Sequence, residues 1–580
     1  MRYPTLNELD TTREMTDVFR GYNHNLRIDA GEFFDMENLS PAYYPVLSPR
    51  SGRKTYAQPS SAQGLIAKDS LCYVDGTDFV MDEYRVNMGL STAEEDCPKT
   101  LVSMGAYVII LPDKMWINTL DLTDFGKIEA SFTTSTDVTF ELCTVDGEAY
   151  SGTVASATEP ADPANMALWI DTSSVPHTLK QYSEASSMWV SIPTTYVKIC
   201  AVGIGTAFEQ YDGVTISGVK NHPDLNGTMV IWSKSDDYIV VVGLLDAVDT
   251  QTEAVTVERK MPNLDFVTEA GNRLWGCRYG FAANGEVVNE IYASKLGDFK
   301  NWNVFQGLST DSYAASRGSD GVFTGAITLQ GHPLFFKEEC IEKVYPSSTG
   351  AHQIVTTEAR GVQRGCHRSL VIVEETVYYK SRTDVCAYSG SLPVSVSEAL
   401  GEMRYTDARA GAEGSLYYIS MQDERGAWHL MVYDTVKRMW RREDNTKALA
   451  FTTCDGRLWW IDEDKKQLVC RTSEGLDAEK DFAWQVESGV IGFQQVGNKY
   501  VNRFTVRAEL DKGASIYMEM QVDDGLWQRM ITYARPGLRS FNIPVLPRRC
   551  DHLKLRFGGK GGCKIYSVSK YLREGSERNW

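Results

Sequence analysis

The sequence is poor in everything that marks a reactive or metal-bound site. Its eight histidines, His24, His177, His222, His332, His352, His367, His429 and His552, share no ligand spacing. Zinc needs at least three convergent ligands, so they are read as surface or turn residues. Twelve cysteines are spread singly from Cys72 to Cys563 with no C-x-x-C pair. That excludes a zinc ribbon or a redox dithiol, and points to free thiols packed as small hydrophobes in a chain made in a reducing compartment. A G-x-S-x-G elbow, a Walker loop and an H-E-x-x-H pair are all missing. Long apolar runs are missing too. The longest, 108–111 and 238–245, fall far short of a membrane span. The polar start, 1–10, carries no signal-peptide core, so a soluble chain synthesised in a cytoplasm is expected.

Positive charge is in short supply: 59 Lys and Arg stand against 77 Asp and Glu, a net charge of −18. This excludes a surface that tracks nucleic acid over its whole extent, and suits a wall past which DNA slides without sticking. The basic groups Arg548–Arg549 and Lys437, Arg438, Arg441, Arg442 are read as solvated surface. Asp462-Glu463-Asp464 and Asp523-Asp524-Gly525 lack the ligand alternation of a calcium loop and are read as hairpin turns. No residue is assigned as catalytic, cofactor-binding or metal-ligating, and the chain is expected not to be an enzyme. Among so many acids a glycosidase-like carboxylate pair can arise by chance, so glycoside hydrolysis stays open as an alternative.

What the sequence does have is a repeat. An aliphatic residue followed by aromatics recurs at Leu274, Leu334, Val377, Leu416 and Leu458, in steps of 60, 43, 39 and 42 residues. A period near 40–45 residues with several short strands per unit is the signature of β-propeller blades. Two units fall before a break and five after it, giving about seven blades. The long first step is assigned to a loop at 307–321. Trp302, Trp459, Trp460 and Trp527 have the chemistry to stack on sugars, and are read as inter-blade packing.

The predicted fold is all-β and divides into five segments. Residues 1–60 form an extended arm, rich in Pro and resting on its own propeller or a neighbour's. Residues 61–120 supply the first blades, 121–263 inserted small β modules, and 264–480 the remaining blades. Residues 481–580 show period-two alternation and are expected to form a β-sandwich. The two ends of the insertion, near 120 and 264, must then lie close together.

Three stretches resemble bacteriophage tail proteins of the nozzle type, also called tail tubular protein B or packaged-DNA stabilisation protein. The arm offers Gly31-Glu32, Asn38 and the turn Pro45-Val46-Leu47-Ser48-Pro49-Arg50-Ser51-Gly52. The first blade after the insertion offers Asn272-Arg273-Leu274-Trp275-Gly276, Glu290-Ile291-Tyr292-Ala293-Ser294 and Gly297-Asp298-Phe299-Lys300-Asn301-Trp302. The ending offers Trp484, Glu487-Ser488-Gly489 and Pro547-Arg548-Arg549-Cys550-Asp551-His552-Leu553. The resemblance implies a virion protein of the tail that closes into a homo-oligomeric ring, usually a hexamer. It implies portal or head-to-tail adaptor proteins and fibre or tip proteins as partners, and genomic DNA passing through the lumen without sequence-specific contacts. No cofactor is implied. The alternative from a different class is a host-surface glycan-binding module using exposed aromatics of the insertion or sandwich.

Overall fold

The computed structural model describes residues 11–282, 284–472, 478–492, 499–546 and 549–574. Among them the only helical turns are four three-residue 3-10 turns; the rest is strand and loop.

Six four-stranded antiparallel sheets and four strands of a ten-stranded sheet form the seven blades of the propeller. Blade I is Ala62–Lys68, Ser70–Asp75, Asp78–Met81 and Tyr84–Asn87, and blade II is Thr100–Met104, Tyr107–Leu111, Met115–Asn118 and Asp121–Lys127. Blades III to V begin at the inner strands Phe266–Glu269, Gly325–Leu329 and Val371–Val373. Blade VI runs Tyr405–Glu413, Leu416–Asp423, Trp428–Asp434 and Met439–Asp444. Blade VII contributes Ala448–Cys454, Arg457–Asp462 and Gln467–Arg471, and takes its fourth strand, Arg53–Ala57, from the arm. The ring is therefore closed by pairing the two sequence ends of the propeller within one sheet.

The repeat is a packing repeat. Leu274, Leu334, Val377 and Leu458 are at most 1 % exposed; Leu416 is half-buried. The aromatics beside them pack blade against blade: Trp275 of blade III shares a core with Phe335 of blade IV, and Trp460 of blade VII with Tyr418 of blade VI. Burying a large aromatic contributes about 1.5–3 kcal/mol relative to exposure, so these positions hold the radial stack together. Gly411 shows how tight the inner ring is. A Cβ there would sit 2.4 Å from the Phe451 Cβ of the neighbouring inner strand.

The fourth strand of each blade left little trace in the sequence. Tyr313–Ser316 of blade III lies inside the stretch read as an extra loop, and Asp121–Lys127 inside the stretch read as insertion. Such outer strands alternate exposed and half-buried residues and carry no aliphatic run.

The inserted sheets run from Ala130–Thr133 to Thr256–Arg259, which pair with each other. Two sheets enclose one core containing Phe140, Ile199, Ile216 and Val257, and a smaller sheet of Val154–Ser156, Leu168–Asp171, Thr178–Ser183 and Met188–Ser191 caps it. Lys114 Nζ donates to Met261 O at 2.9 Å and Asn263 Oδ1 at 2.7 Å, so the ends of the excursion meet.

The C-terminal strands make two facing sheets. One is ordered Thr11–Thr16, Cys563–Glu574, Lys499–Leu510, Gly537–Pro544. The other contains Glu32–Glu37, Ala483–Ser488, Leu553–Lys560, Ser515–Val522 and Gln528–Tyr533. Phe504, Val506, Ile516, Met518, Leu555 and Phe557 fill the space between them. The second sheet does not stop there. Through Glu32–Glu37 and Gly21–Tyr22 it continues into blade VI, making ten strands in all.

Candidate functional site: an arm-built joint and an axial cavity

The arm lies on its own chain and joins three sheets. Thr11–Thr16 edges one sandwich sheet, Gly21–Tyr22 and Glu32–Glu37 bridge blade VI to the other, and Arg53–Ala57 completes blade VII. The first ten residues of the arm lie outside the described residues.

The arm motif builds the joint. Asn38 adopts a left-handed φ of 58°, which Asn tolerates better than most residues. From there its N–H donates to Glu443 O (2.6 Å) on blade VI, and its Nδ2 donates to Ala483 O (2.9 Å) of the sandwich. Arg50 is 6 % exposed; its Nε donates to Asn38 Oδ1 at 2.7 Å and its Nη2 to Glu479 Oε2 at 3.0 Å. Its guanidinium lies 4.0 Å from the centre of the Phe482 ring. At Gly52 a Cβ would meet Glu479 O at 2.3 Å, so no side chain fits.

Arg53 carries the charge into the propeller. It donates to Glu443 Oε2 at 2.8 Å and to Asp444 Oδ2 at 2.5 Å. Burial pushes the Asp444 carboxyl up, but the Arg53 charge and hydrogen bonds from Thr446 outweigh it and hold it at about 2. Arg441, expected on the surface, is 3 % exposed and donates to Tyr418 Oη at 3.2 Å. In a strand alternate residues face inward, and this one turns toward Glu443. Arg442 pairs with Asp35 at 3.0 Å and Lys437 with Asp434 at 2.9 Å. Arg548, with Pro547, lies outside the described residues.

The blade III motif has a comparable role. Asn301 donates to Asp212 Oδ1 (2.9 Å) and Asp298 Oδ2 (2.6 Å), and accepts from Gly213 N at 2.8 Å. Asp212 also pairs with Arg259, so the insertion is seated on this loop. Phe299 and Trp302 pack with Trp116 of blade II. Trp527, by contrast, lies in the sandwich with the Arg556 guanidinium 4.0 Å from its ring.

The inner strands leave an axial cavity of about 430 Å³. Its walls are apolar at Leu65, Leu101, Phe266, Ile372 and Phe451, and its lining contains no Asp or Glu. Its polar lining residues are Lys99, Thr100, Thr452, Thr453, His367 and Arg368. The last two belong to the turn His367–Ser369, held by Ser369 Oγ donating to Cys366 O at 2.6 Å and by Tyr417 Oη donating to Ser369 O at 2.8 Å. Arg368 reaches across to donate from Nη2 to Pro98 O at 2.7 Å. Burial lowers His367 to about 4, helped by Arg368 and Arg409, and lowers Arg368 to about 10. His367 is neutral at pH 7, and Arg368 stays charged. Lys99 is matched by Asp113 at 2.6 Å.

His367 lies in a turn, one of the two places expected of it; Arg368 carries no sequence signal. Neither belongs to a periodic pattern, and only ring closure brings their turn onto the axis. The two acidic turns stand where expected: Asp462 ties Lys465 in its hairpin, and Asp523 Oδ1 accepts from Asp551 N at 2.8 Å.

No protein-family model and no curated protein matches this chain. Solved structures do show likeness. The exo-β-1,3-galactanase from Phanerochaete chrysosporium, in complex with galactose, is 8 % identical, covering 53 % of this chain and 95 % of its own, with a TM-score of 0.22. The extracellular domain of a one component system from B. thetaiotaomicron is 10 % identical over 91 % of this chain and 99 % of its own, at 0.21. The Trypanosoma rangeli sialidase, in complex with the inhibitor DANA, is 9 % identical over 68 % and 94 %, at 0.23. At these scores the likenesses assign no chemistry to this chain. One expectation is nevertheless withdrawn, the reading of the chain as a non-enzyme. Its physical weakness is plain, because carboxylates that converge across blades leave no spaced motif in a sequence.

Proposed function

We propose that this chain is a structural subunit of a bacteriophage tail, similar to the nozzle proteins, that closes into a homo-oligomeric ring around the DNA exit channel. One observation supports it above others. The arm residues on which the resemblance rests, Asn38, Arg50 and Gly52, are the ones that lock propeller to sandwich. A shared motif that builds a load-resisting joint fits a protein whose work is mechanical. The ring is a hexamer in this reading, held between portal or adaptor proteins and fibres or a tip, and the net charge of −18 keeps DNA from sticking to it. A heterologous interface repeated around one axis produces such closure. Peptide mass spectrometry of purified virions tests the proposal: the chain is expected at a small fixed copy number, and its absence from virions would end this reading.

A second reading, glycan binding, is favoured by the capping sheet of the insertion. There Trp169, Tyr182 and Trp189 cluster with ring centres 5.4 Å apart, beside Lys180. It expects Trp189→Ala to abolish binding to host cell-wall polysaccharide; equal binding by the variant counts against it.

A further inference from the structure

The axial cavity contains a positive charge that the protein does not neutralise. Ion pairs surround most buried arginines here: Arg50, Arg53, Arg259 and Arg441 each have an acid within 4 Å. Arg368 has none among the described residues. A guanidinium has five N–H donors, and among the described residues Pro98 O takes the one side-chain hydrogen bond of Arg368. Asp407 and Glu463, the acids whose charge reaches it, are occupied by Arg409 at 3.2 and 2.5 Å. The imidazole beside it, His367, makes no side-chain hydrogen bond among the described residues, and touches the Phe266 ring at 5.2 Å.

Arg368 is half-buried, and a cation held partly out of water is costly to keep without a counter-charge. Here the lining supplies no carboxylate, and Arg368 itself is one of the residues that line the cavity. Its volume, about 430 Å³, lies within the range of roughly 300–1,000 Å³ found for small-molecule sites, which join apolar walls to a few placed polar groups.

We propose that the axial cavity binds a small organic carboxylate of sugar-acid size, with the Arg368 fork on the carboxylate, His367 hydrogen-bonding beside it and the apolar inner strands around the rest. The carboxylate follows from the donor set. One planar guanidinium matches two carboxylate oxygens bidentately. A phosphate dianion would leave a second charge facing Leu101 and Phe451, and a neutral sugar would leave Arg368 unmatched. The site is independent of ring assembly, since every group in it belongs to one chain.

Isothermal titration of the full chain with sodium glucuronate and N-acetylneuraminate, against glucose and inorganic phosphate, tests the assignment. At least one sugar acid is expected to give saturable, one-to-one binding, with glucose and phosphate giving none over the same range. Arg368→Lys keeps the charge but loses the fork and is expected to weaken binding roughly 10- to 100-fold. Thr100→Trp, at an exposed wall position, is expected to block binding with an unchanged circular dichroism spectrum. No saturable binding by either acid, phosphate binding as tight as the acids, or unaltered binding in both variants would overturn the proposal.

Discussion

Arg53→Met is the perturbation that most severely loads the joint. Arg53 is the first residue of the edge strand that completes blade VII, with its side chain 10 % exposed and Glu443 beside it 2 % exposed. Removing the guanidinium leaves Glu443 with Arg441 at 3.5 Å and Arg50 at 4.0 Å, and takes the cation from Asp444. Breaking one side of a buried pair costs about 3–5 kcal/mol, mostly the cost of an unmatched buried charge. The loss falls on the strand Arg53–Ala57, whose partners are Leu468, Val469, Cys470 and Arg471. Hydrogen exchange read by mass spectrometry should therefore accelerate at 467–471 by between about a hundredfold and a few thousandfold. Exchange in the capping sheet of the insertion should not change. Adding Glu443→Met removes the stranded acid and should recover about tenfold. The reasoning fails if 467–471 exchange as in the unaltered chain, or if the double variant is no slower than the single one. Asp444 adds a pH signature. Its folded value near 2 lies below its unfolded value of 3.8, so it contributes stability above pH 3.8 that is lost as pH falls toward 2. Arg53→Met should move acid opening of blade VII to higher pH.

Three further outcomes follow from other joints. Asn301→Ala removes the seat of Asp212 and Gly213 and should cost about 1–3 kcal/mol; limited proteolysis should then release a fragment spanning 130–259, which stays attached in the unaltered chain. Gly411→Ala places a Cβ 2.4 Å from Phe451 and 3.1 Å from Leu458, and should lower the thermal midpoint through about 1–3 kcal/mol of overpacking. His552 faces Asp551, Asp523 and Asp524, and the hydrogen bond to Asp551 leads the causes that raise it above its usual 6.5. Its contribution to the 523–552 turn is therefore full below pH 6.5 and lost as pH rises through the raised value; an imidazole NMR titration at or below 6.5 would contradict this.

The propeller was legible because its signal is local. Each second strand pairs an aliphatic residue with aromatics, and those side chains fill the gap to the next blade, so packing and sequence share one period. Outer strands such as Tyr313–Ser316 escaped because half of their residues face solvent. The joint was half legible. The arm motif was visible as a pattern, but its purpose was not, since Arg50 meets Glu479 across more than 400 residues of chain. Arg441 was misplaced because four neighbouring cations look solvated until strand alternation turns one inward. The axial pair His367 and Arg368 left no pattern at all: ring closure alone gives these residues their surroundings.

Cryo-electron microscopy of the purified full chain tests most directly whether it is a ring subunit. Closed rings of one fixed order are expected, six-fold by resemblance to the nozzle proteins, with propellers arranged around an open lumen. Particles that remain single chains at every concentration, in the presence of the portal and adaptor proteins as well as alone, would contradict it.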